Sequence, residues 1–291
     1  MPHDQMSQFE DRHWSSRDGL RLHYRAYGQP GSGRAPVLCL PGLTRNARDF
    51  EDLAPRLAQT REVLCIDLRG RGDSAWAKES ATYMPLQYVE DVEALIEDAG
   101  LARFAVVGTS LGGLLAMLLA LRQPGHLVGA VLGDIGPVIE AEGLARIRDY
   151  VGSGRSFPTW MHAARALSET HGHAFPDFAV TDWVRMAKRM MTLGQNGRIV
   201  FDYDMKIAEP FAQPGGEAGV DLWPAFDALA AHPLLVLRGE CSDILSAETA
   251  ALMAERKPGV ELVTLPGRGH APTLDEPAAV AAIERLLARC G

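Results

Sequence analysis

The sequence predicts an α/β protein: a mostly parallel sheet with helices on both faces. Three observations predict it. Short continuous apolar runs such as PVLCL (36–40) and EVLCIDL (62–68) have the pattern of strands covered on both sides. Helical periodicities lie between these runs, so strand and helix alternate along the chain, which favours parallel pairing. The alternation breaks over residues 137–224 and then resumes for a strand–helix–strand–helix ending, so the break reads as an insertion into one core rather than a separate unit.

The elements follow in order. RHWSSRDGLRLHYRAYG (12–28) alternates apolar positions around Asp18-Gly19 and predicts a hairpin. ARDFEDLAPRLAQ (47–59) carries Phe50, Leu53 and Leu57 on one helical face, and VEDVEALIEDAG (89–100) predicts a second helix stopped by Gly100. FAVVGTS is the next strand and LGGLLAMLLALRQP the next helix, ended by Pro124; LVGAVLGDIG (127–136) is a further strand. After the insertion come the strand PLLVLRGE (233–240), the helix AETAALMAERKP, the strand VELVTLPG (260–267) and the helix EPAAVAAIERLLARC. The division is therefore a core of 1–136 and 225–291 with a cap, or lid, of 137–224. Inserts at the carboxyl ends of parallel strands commonly cover a ligand crevice.

Composition narrows the function classes. The 291 residues are 47% hydrophobic and 23% charged, the profile of a soluble globular chain. A net charge of -8 gives no basic footprint for nucleic acid or an anionic membrane. MPHDQMSQFEDRHW lacks the cationic and apolar regions of a secretory signal, and no apolar run approaches the ~20 residues of a membrane span. The four cysteines show no C-x-x-C and no metal spacing, which points to free thiols and a cytoplasmic setting.

The chemistry gathers at Gly108-Thr109-Ser110-Leu111-Gly112, a G-x-S-x-G between a strand and a helix. The string alone is loose. Its setting is that of a nucleophile elbow, where glycines two residues away relieve crowding around a strained serine. A plain helix N-cap is the competing structural role for Ser110. A serine hydroxyl needs a base, and in this architecture the order is Ser, acid, His. His270, in LPGRGHAPTLDEP after the last strand, falls at the same sheet edge as Ser110. Of the other eight histidines, His171 and His173 lie in the insertion and read as exposed polar residues rather than metal ligands. Asp243, in the loop CSDILS a few residues past its strand, is the favoured acid. Asp134, at the tip of its own strand before Gly136-Pro137, is the alternative and also suits a role in turning the chain into the insertion. The turn in LCLPGLTRN offers the Leu43 amide, which with that of Leu111 would make an oxyanion hole. DLRGRGDS (67–74) is a glycine-rich turn without the lysine or the following helix of a phosphate loop.

LPGLTRNARDFEDLAPRLA, CIDLRGRGDS, GTSLGG, LRGECSDIL and GRGHAPTLDEP, in this order, resemble the α/β-hydrolase fold family and span nearly the whole chain outside the insertion. The resemblance implies an eight-stranded sheet, a helical cap after the sixth strand, and a cofactor-free, metal-free Ser–Asp–His hydrolase with the roles given above. Many relatives carry His-Gly at the oxyanion turn where this chain has Pro41-Gly42, so only the backbone donor is retained. Serine at the elbow separates the chain from dehalogenase and epoxide hydrolase branches, which use Asp there. Within the family it is similar to small-molecule esterases and enol-lactonases, so the expected partner is a small-molecule ester or lactone. A C–C bond hydrolase with the same triad is the alternative, and a slow-turnover ligand receptor on the same fold a further one. Three pocket residues are also marked. Arg45, close to the oxyanion turn, would bind a substrate carboxylate or simply face solvent. Trp160 and Trp183 would wall an acyl pocket or pack the cap against the core.

Overall fold

The computed structural model describes residues 9–123, 125–211 and 221–291. The N-terminal residues 1–8, with His3, and Pro124, the expected helix stop, lie outside the described residues, as does 212–220 of the insertion.

The hairpin forms as expected, from β1 (Phe9–Ser15) and β2 (Arg21–Tyr27), paired antiparallel around a turn with Gly19 at φ 84°. Strands β3 (Val37–Leu40), β4 (Val63–Asp67), β5 (Phe104–Thr109) and β6 (Leu127–Gly133) follow. The helices between them are α1 (Ala54–Leu57), α2 (Pro85–Asp98) and α3 (Leu111–Arg122). The single helix expected over 47–59 is two short pieces: a 3-10 turn at Ala47–Phe50, then α1. Pro55 has no N–H to extend a helix backwards, so the helix restarts with Pro55 in its first turn. Helix α2 starts at Pro85, four residues earlier than its apolar pattern indicates, for the same positional preference.

After β6 the chain runs through α4 (Ala141–Tyr150), β7 (Ser156–Phe157), α5 (Trp160–His171), α6 (Val180–Met190), β8 (Met191–Leu193), β9 (Ile199–Phe201) and α7 (Ala208–Phe211). It then re-enters the main layer at α8 (Trp223–Leu229), β10 (Leu234–Gly239), α9 (Ala247–Arg256), β11 (Val260–Leu265) and α10 (Pro277–Ala288).

The main sheet has eight strands in the order β1-β2-β4-β3-β5-β6-β10-β11, antiparallel at β1-β2-β4 and parallel elsewhere. Period-two alternation sorts its residues between two cores. Leu38, Leu40 and Val106 face α2, α3 and α8, while Val37, Cys39 and Val107 face α1 and α10. The insertion has a third core of its own around Phe157, Leu167, Phe175, Trp183 and Met190, and a small sheet in the order β7-β9-β8. Ion pairs tie it to the main layer: Arg189 with Glu51 at 2.9 Å, Arg48 with Asp202 at 2.6 Å, and Arg268 with Asp177 at 2.5 Å. All four cysteines are free, and no helix among the described residues is long and apolar enough to cross a membrane.

Candidate active site

Strands β3, β5, β6 and β10 all end at one edge of the sheet, and the polar residues marked in the sequence meet there. Ser110 links β5 to α3 with φ 52° and ψ -118°, in a region that non-glycine residues rarely occupy. The surrounding glycines permit it. A Cβ on Gly112 would fall on the Leu40 carbonyl oxygen, and one on Gly108 would fall on that of Gly112. The serine caps nothing with its side chain, so the N-cap role does not apply. Its hydroxyl lies 2.8 Å from His270 Nε2.

His270 Nδ1 lies 2.8 Å from Asp134 Oδ2. Asp134 is wholly buried and also accepts the Gly239 N–H on Oδ1 at 2.8 Å and the Ser242 hydroxyl on Oδ2 at 2.6 Å. Its positive φ of 56° turns the side chain off the tip of β6. Because a carboxylate only accepts, the imidazole proton belongs on Nδ1, leaving Nε2 to accept from the serine. Such a chain lets an imidazole remove a hydroxyl proton while the carboxylate fixes its tautomer.

The expectation that Asp243 would hold His270 is corrected by this geometry. Arg146 on α4 grips Asp243 with two bonds, at 2.5 and 2.9 Å. Burial resists ionisation of Asp243, but the Arg146 bonds outweigh it and hold its pKa below the ordinary value. Ser242, one residue earlier in the same loop, contacts Asp134 instead.

Gly42 and Leu43 sit across from the elbow. A Cβ on Gly42 would stand 3.6 Å from that of Ser110, so the turn packs directly on the serine. A residue that the sequence reading passed over steadies this turn. Arg71, fully buried in the glycine-rich DLRGRGDS segment, donates from Nε to the Leu43 carbonyl at 2.8 Å and lies 4.7 Å over the Tyr88 ring. An arginine between two glycines in a turn was the available signal.

Two clefts meet at Ser110. The smaller is lined by His270, Arg45, Tyr150 and His171. Arg45 faces this cleft rather than open solvent, with its guanidinium paired to Asp49 at 2.7 Å. His171 does not stand exposed as expected. Burial, then the nearby charges of Arg45 and Arg146, push its pKa down to about 3, so it is a neutral imidazole at ordinary pH. The larger cleft is walled by Leu111, Leu114, Ile135 and Ile139. Trp183 is buried against Phe175 and Phe178, Trp160 packs beside the same cluster, and neither lines the clefts at Ser110.

Among the described residues, one group elsewhere has the donor types of a metal site: His23, Asp67 and Asp73. Its two buried members are already engaged. His23 bonds Asp67 at 2.7 Å and Asp11 at 2.9 Å, and Asp67 accepts the Asp73 N–H at 3.0 Å, which fixes the turn after β4.

The sequence profile of the alpha/beta hydrolase family matches residues 37–283. The chain belongs to that family. A solved alpha/beta hydrolase from Novosphingobium aromaticivorans is 64% identical and superposes with a TM-score of 0.93 over 98% of this chain and 99% of that one. A 3-hydroxybutyrate-oligomer hydrolase of Cupriavidus necator is 34% identical over 270 residues, 90% of each chain. The esterase Rv0045c of Mycobacterium tuberculosis is 30% identical over 263 residues, 87% of this chain and 83% of that one. The protein is therefore an enzyme, a hydrolase, and its expected fold class stands.

Proposed function

We propose that this hydrolase cleaves a carboxylic ester or lactone of a small molecule through an acyl-enzyme, with Ser110 as nucleophile, His270 as general base and Asp134 as the orienting acid. The observation that carries the reading is the unbroken hydrogen-bond chain from Ser110 Oγ through His270 to the buried Asp134 carboxylate. The esterase and the 3-hydroxybutyrate-oligomer hydrolase among the relatives support it.

Ser110 Oγ attacks the carbonyl carbon as its proton passes to His270 Nε2. The carbonyl π pair moves onto oxygen, where the amides of Leu43 and Leu111 stabilise it. The C–O bond to the leaving alcohol then breaks, and the alkoxide takes the proton from His270. Water repeats the sequence on the acyl-serine, releasing the acid and restoring Ser110. No cofactor or metal enters any step. In this reading residues 137–224 act as the cap over the site.

Hydrolysis of p-nitrophenyl acetate and butyrate, with fluorophosphonate labelling followed by mass spectrometry, tests the proposal. The expected result is turnover and a label on Ser110, both absent in Ser110→Ala; the variant should lose about 10⁶-fold in kcat. An unlabelled serine together with no turnover overturns it.

A further inference from the structure

We infer that Ser110 stands at the junction of two clefts of unlike size and lining that sort the two halves of an ester: an apolar acyl chain into the larger, a short polar alcohol into the smaller. The inference rests on the acyl-enzyme reading above and adds orientation and substrate class to it. Both clefts share Leu43, Ser110 and Ile147, so a carbonyl held at Ser110 can send one substituent into each.

The position of His270 decides which half goes where. The leaving oxygen must be protonated by His270, so the alcohol occupies the cleft that His270 lines. That is the small one, of about 80 Å³, enough for several water-sized groups. His270 does not line the other cleft, whereas Leu111, an oxyanion donor, does. That cavity holds about 450 Å³, within the ~300–1,000 Å³ range of small-molecule sites. Leu114, Ile135, Ile139, Leu144 and Ile147 make an apolar wall beside the polar Ser80, Tyr83 and Glu209, and that wall gives an alkyl chain desolvation and dispersion.

The small cleft mixes polar groups with apolar walls from Phe50, Ile147, Phe175 and Met186, and its charges are paired rather than open. Arg45 is matched by Asp49, and His171 is neutral. A neutral imidazole offers one donor or one acceptor to an uncharged hydroxyl, which suits a hydroxyl-bearing alcohol. An apolar alcohol would give the His171 imidazole no hydrogen bond, whereas a hydroxyl would supply one. The substrate class is therefore a medium-chain acyl ester of a small polyol.

Two aliphatic ester series followed by pH-stat test the assignment. At fixed ethanol, kcat/KM should rise by about 100-fold or more from acetate to octanoate, since each buried methylene contributes ~0.8 kcal/mol. At fixed octanoate, the 2-hydroxyethyl ester should exceed the propyl ester by about three- to ten-fold, the value of one hydrogen bond. Leu144→Trp, which fills the apolar cavity, should reduce the octanoate-to-acetate ratio by about ten-fold and leave the hydroxyethyl-to-propyl ratio in place. His171→Phe should erase the hydroxyethyl preference and keep the acyl-length slope. The crossed result, with Leu144→Trp changing the alcohol ratio and His171→Phe the acyl ratio, overturns the orientation. A flat acyl series with active enzyme overturns the substrate class, while the acyl-enzyme reading stands on the Ser110 label. Loss of that label with no ester cleaved is instead the failure of the function itself.

Discussion

The main layer and the insertion divide the labour at this site unequally. Ser110 and Asp134 directly follow the buried strands β5 and β6, and His270 comes from the loop after the edge strand β11, all in the main layer. The insertion contributes Ile147, Tyr150, His171 and Met186, which touch the clefts but not the chain. Reacting atoms must hold position to within about 0.5 Å, and strand ends packed on both faces provide that; walls tolerate more variation. The difference teaches that turnover should depend on the layer and preference on the insertion.

The largest effect that tests this division is Asp134→Asn. If the carboxylate sets the imidazole tautomer, kcat for ester hydrolysis should fall by about 10⁴-fold. Asp243→Asn, at the Arg146 pair, should cost less than about ten-fold. A reversal of the two would move the acid role back to Asp243.

Trp183→Ala comes next. It removes a side chain buried against Phe175 and Phe178 and should cost about 3–5 kcal/mol of stability, read from denaturant unfolding. Folded variant should still take the fluorophosphonate on Ser110. Loss of labelling in protein that remains folded would break the separation between layer and insertion.

Gly112→Ala places a methyl on the Leu40 carbonyl and should cost about 1–3 kcal/mol or more, seen as a lower Tm. Unlike Trp183→Ala, it should slow labelling of Ser110 as well, because relief of the clash moves the elbow.

The most gradual effect is a pH slope from the insertion. His171 is held neutral in the folded state down to about pH 3, while in the unfolded chain it protonates near 6.5. The unfolded state therefore binds the extra proton between those values, and stability falls as pH drops through that window. The slope is at most about 1.4 kcal/mol per pH unit. In His171→Asn this part of the acid limb should flatten in Tm measured from pH 6.5 downward. An unchanged limb would assign the acid sensitivity to other groups.

Much of the fold was legible because its signals are local. Continuous apolar runs marked β3 to β6 and β10, and Gly108 and Gly112 marked the elbow, since their constraint is on the backbone beside them. The one long helix expected over 47–59 failed at Pro55, where a ring without an N–H outweighs an amphipathic pattern. The acid was harder. Asp134 and Asp243 both follow strands at the proper edge, and the choice between them turns on Arg146, 97 residues from Asp243, whose arrival beside it has no local signature. His171 departs from its expected exposure for a related reason: it is partly buried against Tyr150 at the cleft, a contact with no signature among its polar neighbours in sequence.

The carboxylate of Asp134 receives Gly239 and Ser242 from β10 and its following loop as well as His270. It is thus a rivet between two neighbouring strands as well as a partner of the imidazole. Descendants that abandoned the reaction would still use this residue to hold the loop after β10 against the end of β6. A preserved aspartate at this position in a related chain is consequently poor testimony that the chain still turns over, and an altered one reports a rebuilt sheet edge before it reports lost chemistry.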